Sequence, residues 1–142
     1  MTRRWIDVTE RALYLRGIPV TAKLSQVVVH AVATRLVARE VTVGERLTIS
    51  GQAVEAVSLL TEGRVGLYLE GTRIGELQPP QSIGFINCVA RKESSFDAIA
   101  ETPLRTLELS RSALLGLMED QSNNIDLQLL LVFPRLHCLL DN

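Results

Sequence analysis

The spacing of the apolar residues changes twice along the chain and divides it into three parts. A first helix, residues 10–16, is predicted to end at Gly17 and Pro19, since both residues disfavour helix. Ser25 is predicted as the N-cap of a second helix because its hydroxyl can accept a hydrogen bond from the first turn. Beyond Ser25, apolar residues at helical spacing predict one buried stripe, formed by Val28, Val32 and Leu36 with Val29, Ala33 and Val37 alongside.

From about Arg39 the apolar residues alternate with polar ones, which is the pattern of half-buried β-strands. Glu70-Gly71-Thr72 is predicted to close a hairpin between two of these runs. Many short runs separated by turn residues predict an antiparallel barrel or sandwich. The alternating positions include Val41, Val43, Leu47, Ile49, Val57, Leu59, Val65, Leu67, Leu69, Phe96, Ala98, Ala100, Leu107 and Leu109.

The last part of the chain returns to helical spacing. Ser110 or Ser112 is predicted to cap a helix that ends near Glu119, with Leu114, Leu117 and Met118 facing inward. Another helix is predicted to start at residues 123–124, and Pro134 interrupts it because proline has no N–H for the helix.

The order of these elements predicts a single domain of the α+β class. It is an antiparallel β-barrel of about eight strands with helices at both ends. The predicted parts are a helical entry over residues 1–38, the barrel over residues 39–110 and C-terminal helices over residues 111–142.

Composition narrows the classes of function. The chain has 142 residues, of which 46% are hydrophobic and 22% charged, as in an ordinary globular domain. Its net charge of −1 gives no long-range attraction to DNA or to an anionic membrane surface. The longest apolar run, residues 129–133, is far too short for membrane insertion. We therefore expect a cytoplasmic protein that does not bind DNA and does not insert into a membrane.

The sequence contains few residues suited to catalysis or to metal binding. The histidines are His30 and His137 and the cysteines are Cys88 and Cys138, and their spacing matches no metal site. His137 and its neighbour Cys138 point to different faces of a helix, so they do not form a nucleophile and its base. We expect no enzyme.

Several short segments, in this order, carry a family resemblance. They are Leu15-Arg16-Gly17-Ile18-Pro19, Leu24-Ser25, Val43-Gly44-Glu45, Ser50-Gly51, Thr61-Glu62-Gly63-Arg64-Val65 and Ile99-Ala100-Glu101-Thr102-Pro103. Together they resemble the cyclic nucleotide-binding domain of bacterial catabolite activator-type regulators, cyclic nucleotide-dependent kinase regulators and gated channels. The resemblance covers roughly residues 10–120 and implies that the barrel is a jelly roll.

The resemblance also implies where a nucleotide would bind. In the family, a short helix directs its N-terminal amides at the phosphate, a glutamate accepts from the ribose hydroxyl and a later arginine pairs with the phosphate. In residues 82–97, which we term the cassette, Gly84 matches the glycine that opens this helix. Phe85 stands at the glutamate position and Ser94 at the arginine position. The candidate ligand-binding residues of this degenerate cassette are Gly84, Phe85, Ile86, Asn87, Ser94 and Ser95.

Two alternatives follow from these replacements. Arg91 or Lys92 can replace the missing cation and hold the phosphate in a rewired site, or both can be ordinary solvated charges of the loop. Phe85 can instead fill the pocket with its ring. The ligand is accordingly cyclic AMP, cyclic GMP, another small anion, or none.

The expected function is a non-enzymatic regulatory or sensor module with weak, altered or absent cyclic nucleotide binding. The alternative is a binding-dead scaffold. The segment 125–140 is richer in leucine than one buried face requires, and this leaves two arrangements open. These C-terminal helices contact a second copy or a partner protein, or they fold fully onto their own barrel.

Overall fold

The computed structural model describes Arg11, Leu15 and residues 25–119. Three helices are described, α1 (Gln26–Ala33), α2 (Phe85–Ala90) and α3 (Arg111–Glu119). The strands are β1 (Val37–Val41), β2 (Arg46–Thr48), β3 (Ala56–Glu62), β4 (Val65–Leu69), β5 (Thr72–Leu77), β6 (Gln81–Ile83), β7 (Asp97–Ala100) and β8 (Leu104–Ser110).

The strands form two four-stranded antiparallel sheets. Sheet 1 has the order β1-β8-β3-β6 and sheet 2 the order β2-β7-β4-β5. The α+β jelly roll expected from the sequence is confirmed, with one correction: the two sheets are not closed into a continuous barrel. They are held together by the side chains between them, since no hydrogen-bonded strand pair joins one sheet to the other in the described residues.

Sheet 1 is covered on both of its faces. One face packs on sheet 2 through an apolar cluster that we term the intersheet core: Val41, Leu60, Val65, Leu67, Leu77, Ile83, Phe96, Ala98, Ala100 and Leu104. The other face packs on the helices through the helix-side core: Leu15, Val28, Val29, Val32, Ala33, Leu36, Val54, Val57, Leu59, Phe85, Cys88, Leu107, Leu109, Leu114 and Leu117. Strand β3 is therefore buried continuously from Val57 to Thr61, as expected for a strand covered on both sides.

Helix α1 begins as predicted and ends earlier than predicted. Ser25 has an extended backbone, and its hydroxyl accepts a hydrogen bond from the Val28 amide at 3.3 Å, which confirms the N-cap. The helix ends at Ala33, and the chain has already entered β1 by Val37. The prediction that Val37 extends the buried helical stripe was wrong, because this side chain is 65% exposed on an edge strand.

The strand prediction failed at positions where turns or a register shift override the alternation. Val43 is 60% exposed because β1 has ended before it, and Leu69 is 44% exposed beside the hairpin turn. In β2, Thr48 is the buried residue, whereas Leu47 and Ile49 are only half-buried. The pairing of β2 with β7 shifts register between Arg46 and Thr48, and such an irregularity re-aims side chains.

Other local predictions are confirmed. Strands β4 and β5 form a hairpin whose turn residues Glu70 and Gly71 both have positive φ, at 50° and 82°. These are the backbone angles that a tight two-residue hairpin turn requires. Ser110 is the cap of α3, since its hydroxyl accepts from the Ala113 amide at 3.1 Å. The predicted helix after residues 123–124 lies outside the described residues.

The outer face of sheet 2 carries a charged network around Glu101. Its carboxylate accepts two hydrogen bonds from Arg73 at 2.8 Å, one from Tyr68 at 2.7 Å and one from Arg64 at 3.0 Å. The carboxylate lies directly over Gly66, where a Cβ would overlap it. Hydrogen bonds from Arg73 and then from Tyr68 hold the pKa of Glu101 well below its usual range.

The Glu101 network predicts a pH-dependent contribution to stability. Because the folded pKa is lowered, the carboxylate stabilises the fold above its unfolded pKa, and this contribution is lost as the pH falls towards the folded value. Glu101→Gln should be less stable than the parent at pH 7, and the difference should narrow below about pH 4. Urea unfolding at both pH values measures this. Glu70→Gln, an exposed glutamate, is the control, and an equal deficit for both variants would contradict the role of the network.

A second prediction concerns Gly63, which precedes β4 with φ at 100°. A Cβ at this position would lie 2.5 Å from the Pro103 carbonyl oxygen and 2.6 Å from a Leu104 methyl. Gly51 also has positive φ, at 80°, yet nothing lies within 4 Å of its Cβ position. Gly51→Ala should cost about 1 kcal/mol of backbone strain. Gly63→Ala should cost about 1–3 kcal/mol more because of the added overlap. Equal unfolding free energies for the two variants would contradict this packing.

Candidate functional site

The cassette begins with Gly84, which is the N-cap of α2 and has φ at 94°. A Cβ at Gly84 would lie 2.7 Å from Val54 Cγ1 and 3.0 Å from the carbonyl oxygen of Ala56. Glycine is thus needed twice, for its left-handed backbone and for the close approach to the beginning of β3. The predicted helix-opening role of Gly84 agrees with this position.

Phe85, at the position of the family's glutamate, is completely buried at the start of α2. Its ring belongs to the helix-side core, together with Cys88 one turn later, and not to the intersheet core. Ile86 is half-buried and packs against the same cluster. The side chain at the ribose position therefore contributes to the packing between α2 and the other helices, and it offers no hydrogen-bonding group.

Ser94, at the position of the family's arginine, is 3% exposed. Its hydroxyl donates to the Phe96 carbonyl oxygen at 2.7 Å. Its backbone amide donates to Gln52, and its carbonyl oxygen accepts from Gly51. Ser94 thus ties the cassette to the loop between β2 and β3, while the neighbouring Ser95 is exposed.

Phe96 fills space between the sheets close to the end of the cassette. It is 2% exposed and lies in the intersheet core. Sequence analysis placed this residue on a strand without assigning it to the site. The alternation of Phe96 with Ala98 and Ala100 predicts that its side chain points inward. The alternation does not predict what the ring packs against, because that depends on which strands face each other across the core.

Asn87 holds the loop that follows α2. Its Nδ2 donates to the carbonyl oxygens of Lys92 at 3.0 Å and Glu93 at 3.1 Å. The side chain is buried, and its Oδ1 has no hydrogen-bond partner. Because both bonds from Nδ2 go to carbonyl oxygens, the orientation of the amide is fixed and Oδ1 remains an unused acceptor.

Arg91 and Lys92 line a cavity of about 270 Å³ at the C-terminal end of α2. We term this the basic cavity; its other lining residues are Ala53, Val54, Glu55, Asn87 and Arg111. Among the described residues, neither Arg91 nor Lys92 forms an ion pair. The two predicted substitute cations thus lie together, at the end of α2 opposite to the glycine that opens it.

Sequence analysis missed two residues of this cavity, Arg111 and Glu55. Arg111 is the first residue of α3, and its Nε donates to the Cys88 carbonyl oxygen at 2.9 Å. Its backbone amide donates to the Glu55 carbonyl oxygen at 2.8 Å. No local pattern marks either residue, because the packing of α3 against α2 brings them to the cassette from distant parts of the chain.

Over residues 25–119, no three histidine, cysteine or acidic side chains lie together in a way that would hold a metal ion. None of the described helices is both long enough and apolar enough to cross a membrane.

Comparison with known proteins defines the class. A family model for the cyclic nucleotide-binding domain matches residues 38–121, which is more than half of the chain. The chain therefore belongs to the cyclic nucleotide-binding domain family. No curated protein sequence matches it.

Solved structures of the same fold share little sequence with this chain. A protein of Geobacter metallireducens GS-15, described as cyclic nucleotide-binding, has a TM-score of 0.77 at 17% identity, over 88% of this chain and 93% of its own. The regulatory domain of Toxoplasma gondii PKA, co-crystallised with cAMP, has a TM-score of 0.71 at 16% identity, over 84% and 47%. A mutant regulatory subunit of a cAMP-independent protein kinase A from Trypanosoma brucei, bound to cAMP, has a TM-score of 0.64 at 18% identity, over 85% and 52%.

The role of Asn87 in holding the cassette can be tested by one atom's change. Asn87→Asp replaces the Nδ2 donor with an oxygen that faces two carbonyl oxygens. At pH 7 the loss of these two hydrogen bonds, with carboxylate and carbonyl oxygens left facing each other, should lower the free energy of unfolding by about 1–3 kcal/mol. Ser95→Asp adds the same charge at an exposed neighbour and should change it by less than about 0.5 kcal/mol. Similar urea midpoints for the two variants would show that the amide does not hold the loop.

Proposed function

We propose that this chain is a non-enzymatic regulatory module of the cyclic nucleotide-binding fold that has lost high-affinity cyclic nucleotide binding. One observation supports this most strongly. The two positions that resemble the family's ribose and phosphate ligands hold buried side chains, and both of these are committed to internal contacts. The proposal includes the cytoplasmic location expected from the sequence.

The loss of these two contacts is large enough to abolish high-affinity binding of a cyclic nucleotide. A charge-assisted hydrogen bond contributes about 1.5–3 kcal/mol, so the absence of the arginine alone weakens phosphate binding by about tenfold to a hundredfold. The loss of the ribose acceptor at Phe85 adds to this.

The structural relatives make such a module plausible as a regulator. The Trypanosoma brucei protein is a regulatory subunit of a kinase described as cAMP-independent, and a mutant of it is bound to cAMP. The same fold thus occurs in a regulatory subunit of a kinase described as cAMP-independent and in a regulatory domain co-crystallised with cAMP.

The test is a titration of the full chain with cAMP and with cGMP, by calorimetry and by amide chemical shifts. We expect no saturable heat up to about 1 mM, because both main ligands are absent. Micromolar binding, with shifts at Gly84 to Asn87, would overturn the proposal. A regulatory subunit known to bind cAMP, titrated with the same ligand stock, controls for ligand quality.

The binding-dead scaffold is the second candidate, and the complete burial of Phe85 favours it, because this side chain cannot contact a ribose. On this alternative, the leucine-rich segment 125–140 contacts a second copy or a partner protein. We expect the full chain to elute as a dimer in size-exclusion chromatography and Leu130→Asp to shift it to the monomer position. An unchanged elution volume would contradict a self-contact through this segment.

A further inference from the structure

We infer that the basic cavity at the C-terminal end of α2 is a binding site for a small phosphate monoester. The inference rests on the proposed function for its regulatory consequence, since it assigns the ligand that such a module would sense. The site is separate from the helix N-terminus at Gly84, where the family resemblance places a cyclic nucleotide.

The charges of the cavity favour a doubly charged anion. Arg91, Lys92 and Arg111 contribute three positive charges, and Glu55 contributes one negative charge. A phosphate monoester carries about −1.5 to −2 at neutral pH, which matches this surplus better than the single charge of a cyclic phosphodiester. Arginine side chains also bind phosphate oxygens in a two-pronged arrangement that gives geometric selectivity.

The cations are available to a ligand. Arg91 and Lys92 are exposed, and across the described residues no hydrogen bond or ion pair uses their side chains. The Nε of Arg111 is used by the Cys88 carbonyl oxygen, and this bond leaves the terminal nitrogens of the guanidinium to face other groups. Exposed cations alone would be an ordinary surface feature. Their convergence on one concave site is what sets these apart.

The size of the cavity points to the rest of the ligand. The volume of about 270 Å³ lies just below the usual range of about 300–1,000 Å³ for ligand pockets, which favours a glycerol or sugar phosphate over a nucleotide.

The position of Arg111 connects this cavity to the C-terminal part of the chain. Arg111 is the first residue of α3. Its amide donates to the carbonyl oxygen of Glu55, immediately before β3, and its side chain donates to the carbonyl oxygen of Cys88 in α2. A phosphate that contacts Arg111 acts directly on the junction of α2, β3 and α3. Binding would therefore change the stability of this junction, which is how a module of this kind would report its ligand.

The test uses glycerol 3-phosphate as the probe, with calorimetry and amide chemical shifts at constant ionic strength. We expect saturable binding, with shifts at residues 53–55, 91–92 and 111. The double variant Arg91→Gln/Lys92→Gln should weaken binding by about a hundredfold, since each of the two charge-assisted bonds is worth about tenfold. Both substituted side chains are exposed, so the fold should survive, and thermal unfolding confirms it. Arg35→Gln removes an exposed arginine that does not line the cavity and should leave affinity unchanged.

Three results would overturn the inference. They are absence of saturable binding, equal affinity in the double variant and the parent, and an equal response to glycerol, which lacks the phosphate. These outcomes are distinguishable from failure of the proposed function. Micromolar cAMP binding with shifts at Gly84 to Asn87 would contradict the proposed function. The titration with glycerol 3-phosphate would still test, independently, whether the basic cavity binds a phosphate monoester.

Discussion

The close approach of α2 to the beginning of β3 is the constraint on which the candidate site depends. At Gly84 the helix lies so near Val54 and Ala56 that no side chain fits between them. This contact fixes the start of α2 on sheet 1, and the direction of the helix then decides where each cassette residue goes. Phe85 and Cys88 enter the helix-side core, whereas Asn87 and Arg91 reach the basic cavity at the other end.

The double covering of sheet 1 explains why this placement is stable. Strand β3 contributes Val57 and Leu59 to the helix-side core and Leu60 to the intersheet core. Because sheet 1 supports both cores, a displacement of α2 would disturb apolar packing on the face that also holds α1 and α3. The ring of Phe85 is part of that packing, so a position that resembles a ligand site has become a structural position.

The sequence predicted the local elements well where a single residue type determines the geometry. The Ser25 cap, the Glu70-Gly71 turn and the Ser110 cap are each set by short-range hydrogen bonding or backbone preference. It failed at Val37 and Thr48, where an edge strand and a register shift change which side chain is buried. The cassette replacements at Phe85 and Ser94 were visible in the sequence. Arg111 and Glu55 were not, because only tertiary packing brings them to Arg91 and Lys92.

The central claim is that the chain keeps the family fold but has lost high-affinity cyclic nucleotide binding. Thermal unfolding in the presence of cAMP tests this claim directly. A ligand that binds only the folded state stabilises it in proportion to the logarithm of its concentration over its dissociation constant. We predict an unchanged midpoint at about 1 mM cAMP. A dissociation constant of about 1 µM would instead stabilise the fold by about 4 kcal/mol at that concentration. The midpoint would then rise by about 10 °C, and a rise of that size would contradict the account.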